Sequence, residues 1–166
     1  DVYKARFGGE WYPLANGVDL AESEEKNWLM RDSISQLSPF LIRYMGALAD
    51  DMTYSSVRDI AAAVSTLQAS IPVRFEVYTM EWCRLKAEQD IGKLPGVSVH
   101  PLVEEVRYKQ SLAEADALVI AYNFDYRSIS YIGLSLANKM PECLASGTPL
   151  IAYGPIDVAT IHYLKD

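Results

Sequence analysis

The chain has 166 residues, 50% of them apolar, and 15 Lys and Arg against 22 Asp and Glu give it a formal charge of -7. This is the usual size of one domain with a full core, and the acidic balance repels a phosphate backbone, which sets nucleic acid aside as a partner. No apolar run approaches the roughly 20 residues that span a bilayer, and no basic-then-apolar leader opens the chain, so direct membrane insertion and secretion are not expected.

Residues 1–38 read as an irregular inter-domain connector and N-terminal extension, because Gly8-Gly9, Pro13, Asn16-Gly17 and a charged patch over 22–26 break any longer period. Asp1 in place of Met, and Lys165-Asp166 straight after an amphipathic run, read as the ends of an excised piece. From Phe40 onward, short β-branched or aliphatic runs alternate with helical patterns. The first strand is predicted over 41–45, ending at Gly46. A helix follows, with a capping-box pattern at Ser56 and Asp59 and an apolar stripe of Val57, Ile60, Ala61, Val64 and Leu67.

Pro72 closes that connection, and Val73, Phe75 and Val77 alternate as a second strand. A helix is predicted from Glu81 to about Ile91, a third strand over 97–100 after the Pro95-Gly96 turn, and another helix over 104–115. Residues 117–121 are continuously apolar, as in a strand covered on both faces. Residues 122–137 read as a loop rich in aromatic and hydroxyl groups, among which Tyr122, Phe124, Tyr126 and Tyr131 either line a pocket or cover the sheet edge.

Pro141 is tolerated only in a first helical turn, so the next helix should begin near Asn138 and end at Gly147 and Pro149 after about two turns. A strand over 150–153 and a helix from Asp157 complete the pattern. The expectation for 39–166 is therefore an α/β domain with a doubly wound, Rossmann-like, mostly parallel sheet of about five to six strands. Cys83 and Cys143 lack metal-ligand spacing and read as reduced core residues, and His100 and His162 as structural ones.

Ligands of such sheets bind beyond the carboxyl ends of the strands. There the block Asn138-Lys139-Met140-Pro141-Glu142-Cys143-Leu144-Ala145-Ser146-Gly147-Thr148-Pro149 stands out. A helix starting beside a long loop aims its positive end at a place where phosphate could bind, and Lys139 adds a full charge. Glu142 lies three residues on, on roughly the same face, and could accept hydrogen bonds from paired sugar hydroxyls or simply pair with Lys139.

This block resembles the K-x-x-E-Y-L-A-S-G-x-P segment of the GT-B glycosyltransferases, in the large group 1 (family 4-like) set of nucleotide-sugar-dependent retaining enzymes. Asn16-Gly17-Val18-Asp19, Met45-Gly46-Ala47-Leu48 and Leu112-Ala113-Glu114-Ala115-Asp116-Ala117 resemble further family segments in the same order. The resemblance implies the nucleotide-sugar-binding half of a two-domain hexosyltransferase, acting in polysaccharide or glycoconjugate synthesis. It makes Glu142 the residue that holds the ribose hydroxyls, and Thr79, Leu102 and Gly46 further nucleotide contacts. Lys139 and Arg127 become the catalytic cations, and Ser130, Leu134, Ser135 and Asn138 the loop facing donor sugar and phosphate.

It also implies a retaining course, a cytoplasmic enzyme with any membrane association supplied by another domain, and an N-terminal acceptor domain as partner. The nucleotide sugar is substrate and no cofactor is expected. No Asp-x-Asp motif is present to hold a metal, so metal-independent transfer is expected. Two departures stand out. Leu134 occupies the place of a second family glutamate, and 47–51 lack the usual Arg or Lys after the first strand.

Rival plans fit less well. A phospho-receiver domain would use Asp50-Asp51 but needs an Asp after strand three, where His100-Pro101 stands, and a Lys after strand five, where Tyr153-Gly154-Pro155 stands. A dinucleotide oxidoreductase needs Gly-x-Gly-x-x-Gly after strand one, where the chain reads Gly46-Ala47-Leu48-Ala49-Asp50. A degenerate glycosyltransferase-like domain kept for binding or assembly remains a second reading.

Overall fold

The computed structural model describes residues 2–12, 16–17 and 38–165. Pro13, Val18-Asp19 and the charged patch over 22–26 lie outside the described residues. A short helix, α1 (Val2–Phe7), opens the chain where the sequence reads as irregular. Its reason is an aromatic cluster at four-residue spacing: the ring centroids of Tyr3 and Phe7 are 6.0 Å apart, and those of Tyr3 and Trp11 are 5.3 Å apart.

The sheet has five strands, all parallel: β1 (Phe40–Met45), β2 (Val73–Thr79), β3 (Val97–Pro101), β4 (Ala117–Ala121) and β5 (Leu150–Tyr153), in the order β3-β2-β1-β4-β5. The connections are α2 (Tyr54–Leu67), α3 (Glu81–Gln89) with a 3-10 turn at Ile91–Lys93, α4 (Glu105–Glu114), then α5 (Tyr126–Ile132) with α6 (Met140–Ser146). A last helix, α7 (Ala159–Lys165), follows β5. This is the doubly wound, Rossmann-like α/β plan that the alternation of patterns predicts.

Strand periodicity divides the core between two faces. On one, Ile42, Tyr44, Phe75, Val77, Val119 and Ala121 meet Val57, Ala61 and Val64 of α2 and Cys83 and Ala87 of α3. On the other, Met45 and Leu118 meet Leu112 of α4 and Cys143 of α6, while Ile120 and Tyr122 meet Ile132, Met140 and Ile161. Each aliphatic side chain fully buried in this way contributes about 1.5–3 kcal/mol of transfer free energy. All five residues of β4 are buried, which is why that strand reads as apolar without alternation.

Several boundaries differ from the expectation. Helix α2 begins at Tyr54, ahead of the capping-box pattern, because Ser56 turns inward and its Oγ donates to the Tyr122 carbonyl at 2.8 Å. The predicted helix over 81–91 stops at Gln89 and tightens into the 3-10 turn. Within the predicted loop over 122–137, α5 forms because Asp125 caps it, accepting from the Ser128 N–H at 3.0 Å and from Ser128 Oγ at 2.6 Å. Helix α6 begins at Met140, with Pro141 in its first turn and Gly147 at φ 59° as its left-handed C-cap. The last helix starts at Ala159, two residues later than predicted.

Candidate functional site at the carboxyl edge between β1 and β4

The strand order reverses direction at β1 and β4, so their carboxyl ends and following loops form the topological switch point. The loop after β1 is tied down from three sides. Its Ala47 carbonyl accepts from Tyr44 Oη at 2.6 Å and from Thr53 Oγ1 at 2.8 Å. Asn123, at the end of β4, donates its Nδ2–H to the Asp50 carbonyl at 2.9 Å and its backbone N–H to the Met52 carbonyl at 2.8 Å. Its Oδ1 accepts from the Ser56 N–H at 3.2 Å. An amide of the first turn of α2 is thus satisfied by the protein's own side chain, at the place where a dinucleotide fold offers amides to phosphate.

Asn123 is 1% exposed, and its removal leaves the Ser56 amide and the Asp50 carbonyl short of a partner. An Asn123→Ala variant should lose about 2–3 kcal/mol of stability, read by urea denaturation, since unsatisfied buried polar groups carry that penalty. A loss below about 0.5 kcal/mol would remove Asn123 as the clamp of the switch point.

The cation at this edge comes from Lys139. It is the N-cap residue of α6, and its side chain runs to β1, where Nζ donates to the Met45 carbonyl at 3.0 Å. The ammonium lies 4.0 Å from the centroid of the Tyr44 ring. Burial of the ammonium pulls its pKa from 10.5 down to about 8, opposed by the neighbouring Cys143 thiol. That thiol is pushed up to about 11, by burial first. Lys139 makes no ion pair among the described residues, so the surface pair with Glu142 allowed by their spacing does not form. The reason is that Lys139 precedes the helix proper and follows the loop toward β1, while Glu142 belongs to the first turn.

Gly46 is part of the same arrangement. A Cβ at this position would fall 3.0 Å from Lys139 Nζ and 3.4 Å from Tyr44 Oη, so glycine, at φ 156°, lets the ammonium sit at the strand end without being pushed aside. Sequence reasoning finds no Arg or Lys just after the first strand, yet a cation stands there, delivered by a residue 94 positions later.

Glu142 is partly exposed in the first turn of α6, and this turn faces α4. Tyr108 of α4 is its electrostatic neighbour. The phenol is held well above its ordinary pKa by burial first, then by Cys143 and Glu142. Tyr108 also packs with Tyr78 and Val103 against Leu112 and Cys143.

The other candidates are more scattered. Thr79, at the end of β2, is fully buried and its Oγ1 has no hydrogen-bond partner, so its side chain sits below the surface that a base would touch. Leu102 is exposed just after β3. Arg127 and Ser130 lie exposed on α5, and Leu134, Ser135 and Asn138 are exposed between α5 and α6. Ser135 is anchored through its carbonyl, which accepts from Thr160 Oγ1 at 3.0 Å. The aromatic residues divide: Tyr122 is buried, Phe124 packs edge-on against Tyr153 at 5.1 Å, and Tyr126 and Tyr131 are exposed.

Both cysteines are buried and free. His100 stacks on Tyr78 at 4.9 Å with Nε2 2.9 Å from Ser98 Oγ. Asp50, of the acidic pair a receiver domain would use, forms an exposed ion pair with Lys86. Sequence reasoning missed Tyr44, Tyr108 and Asn123. In sequence Tyr44 is one residue of the first strand and Tyr108 one of the helix over 104–115, and nothing local marks Asn123 as a clamp.

No described helix is long and apolar enough to cross a membrane. No family model matches the chain, and no curated protein matches it. Among solved structures, the chain is similar to the pneumococcal O-GlcNAc transferase GtfA in complex with UDP and GlcNAc, with a TM-score of 0.42 and 13% identity over 69% of this chain. It spans 21% of that protein's length.

Proposed function

We propose that the chain is the donor-binding half of a GT-B-type glycosyltransferase, with the diphosphate of a nucleotide sugar held at the carboxyl edge between β1 and β4. The observation that carries this reading is Lys139, half-buried, with its ammonium drawn in to the end of β1 and no carboxylate partner among the described residues. A charge partly withdrawn from water without a counter-ion is costly, and at a sheet's ligand-binding edge an anion is the natural compensation. Glu142, in the first turn of α6 and partly open to water, is suited to accept two hydrogen bonds from vicinal ribose hydroxyls. Leu102 flanks the base, and Arg127, Ser130, Ser135 and Asn138 flank the donor sugar and diphosphate.

The chemistry is leaving-group stabilisation. Departure of a nucleoside diphosphate places negative charge on phosphate oxygens, and a fixed ammonium stabilises that charge more in the transition state than in the ground state. The acceptor and any general base belong to the partner domain, so this chain alone binds donor and transfers nothing. A retaining, metal-independent course, a hexosyl donor and a cytoplasmic setting follow from the resemblance of the 138–149 block.

Glu142→Ala should weaken nucleoside diphosphate binding by about 1–3 kcal/mol, the scale of hydrogen bonds to a charged group, with the fold intact. Titration calorimetry with UDP, GDP and ADP measures it and identifies the base. A second reading, a degenerate domain kept for binding or assembly, is favoured by Leu134, which is 55% exposed where the family pattern has a glutamate. Absence of binding by all three nucleotides in a folded sample would establish that second reading in place of the first.

A further inference from the structure

Tyr44 ranks among the largest fully buried side chains of the described residues, yet it lies at the site edge of β1, directly beneath Lys139. We infer that Tyr44 is a positioning residue whose ring fixes the Lys139 ammonium at the end of β1 in the orientation that receives an anionic ligand. The inference rests on the anion-binding reading of Lys139 given above.

A lysine stem has four rotatable bonds, and an ammonium that keeps some access to water gains by swinging out to it. Two contacts oppose that motion. The Met45 carbonyl accepts one of its three N–H donors at 3.0 Å, and the negative face of the Tyr44 ring lies 4.0 Å away. The ring is itself immobile, because it is fully buried in the core beneath α2 and α3, and Oη adds a bond to the Ala47 carbonyl at 2.6 Å, which Thr53 Oγ1 also holds. Gly46 completes the seat by leaving out the Cβ that would touch both Nζ and Oη. The remaining N–H donors have no protein acceptor among the described residues, so the ammonium is held without being saturated.

The test uses the intact chain with lysine labelled at Cε and Nζ, read by NMR, together with calorimetric titration of inorganic pyrophosphate. The Lys139 signal is assigned by its loss in Lys139→Met. In the unliganded protein the Lys139 ε-methylene protons should lie upfield of the other lysines through the ring current of Tyr44. Tyr44→Phe, which keeps the ring, should preserve that shift and bind pyrophosphate within about twofold of the parent. Tyr44→Leu should return the signal to the ordinary lysine position and weaken pyrophosphate by about tenfold.

An unshifted Lys139 signal in the parent chain overturns the inference without any variant, so a Tyr44→Leu protein that fails to fold does not shield it. Equal pyrophosphate affinity in a folded Tyr44→Leu variant overturns it as well. If the parent shows the ring shift but binds no pyrophosphate, the anion-binding reading fails while the placement of Lys139 by Tyr44 stands.

Discussion

Replacing Lys139 by methionine is expected to raise the stability of the fold and, in the same variant, to weaken nucleoside diphosphate binding by about 10- to 100-fold. The two effects share one cause. The folded state lowers the Lys139 pKa from 10.5 to about 8 by desolvating the ammonium, so the fold disfavours its charged form. Below pH about 8 this penalty is present in full. Between about 8 and 10.5 the unfolded chain binds more protons than the folded one, and the Lys139 contribution therefore makes stability rise with pH across that window.

The full shift corresponds to at most about 3 kcal/mol, and residual contact with water reduces it, so Lys139→Met should gain about 1 kcal/mol, or roughly 3 °C in Tm. Methionine fills a similar volume against the Tyr44 ring and brings no charge. The binding loss corresponds to the 1.5–3 kcal/mol of a charged hydrogen bond. In the parent chain, diphosphate affinity should fall as pH is raised through about 8, while Lys139→Met should show no such dependence. Thermal denaturation and calorimetry decide both halves, and a methionine variant that binds diphosphate as tightly as the parent would show that Lys139 is not the anion's partner.

Glu76→Leu should be the most destabilising single substitution on the opposite face of the sheet, costing about 3–5 kcal/mol in urea denaturation. Its partner Arg43 is 5% exposed on β1, with Nη2 2.6 Å and Nε 3.1 Å from Glu76 Oε2. The other contacts of the guanidinium are the Ser111 carbonyl, the half-exposed Glu114 at 3.9 Å and the Tyr78 ring at 5.2 Å. Without Glu76 a buried positive charge keeps one neutral acceptor, an aromatic face and a half-exposed carboxylate at 3.9 Å, which compensate it far less than the lost pair.

The double variant Arg43→Met with Glu76→Leu should recover most of that loss, because the charge and its counter-charge leave together and a sheet face covered by α4 accepts apolar groups. If the double variant is no more stable than Glu76→Leu alone, the cost comes from lost packing and not from the stranded guanidinium. The same comparison separates the two faces of β1. Arg43 serves the fold on one side, and Tyr44, its neighbour in sequence, serves the site on the other.

Local sequence patterns determine much of this molecule. Alternation at Val73, Phe75 and Val77, the unbroken apolar run of β4 and the stripe of Val57, Ala61 and Val64 each record which surface of a single element is dry, and that record suffices for five strands and the helices that cover them except α5. Pro141 and Gly147 fix α6 by backbone geometry alone. The 138–149 block likewise directs attention to the carboxyl edge without any coordinates.

Tertiary structure decides what the edge residues do. Spacing aligns Lys139 with Glu142, yet Lys139 turns away to the Met45 carbonyl and the Tyr44 ring, and Asn123 becomes a cap for α2 by accepting from the Ser56 N–H, 67 residues earlier in the chain. Thr79, a strand-end residue by pattern, is sealed beneath the surface, and Arg43, a polar break in an apolar strand, finds its counter-ion on β2. Periodicity reports a side chain's relation to its own element only. Where an ammonium, an amide or a guanidinium finds its partner depends on which strand ends and loops the parallel order brings side by side, and that juxtaposition arises from packing between segments far apart in the chain.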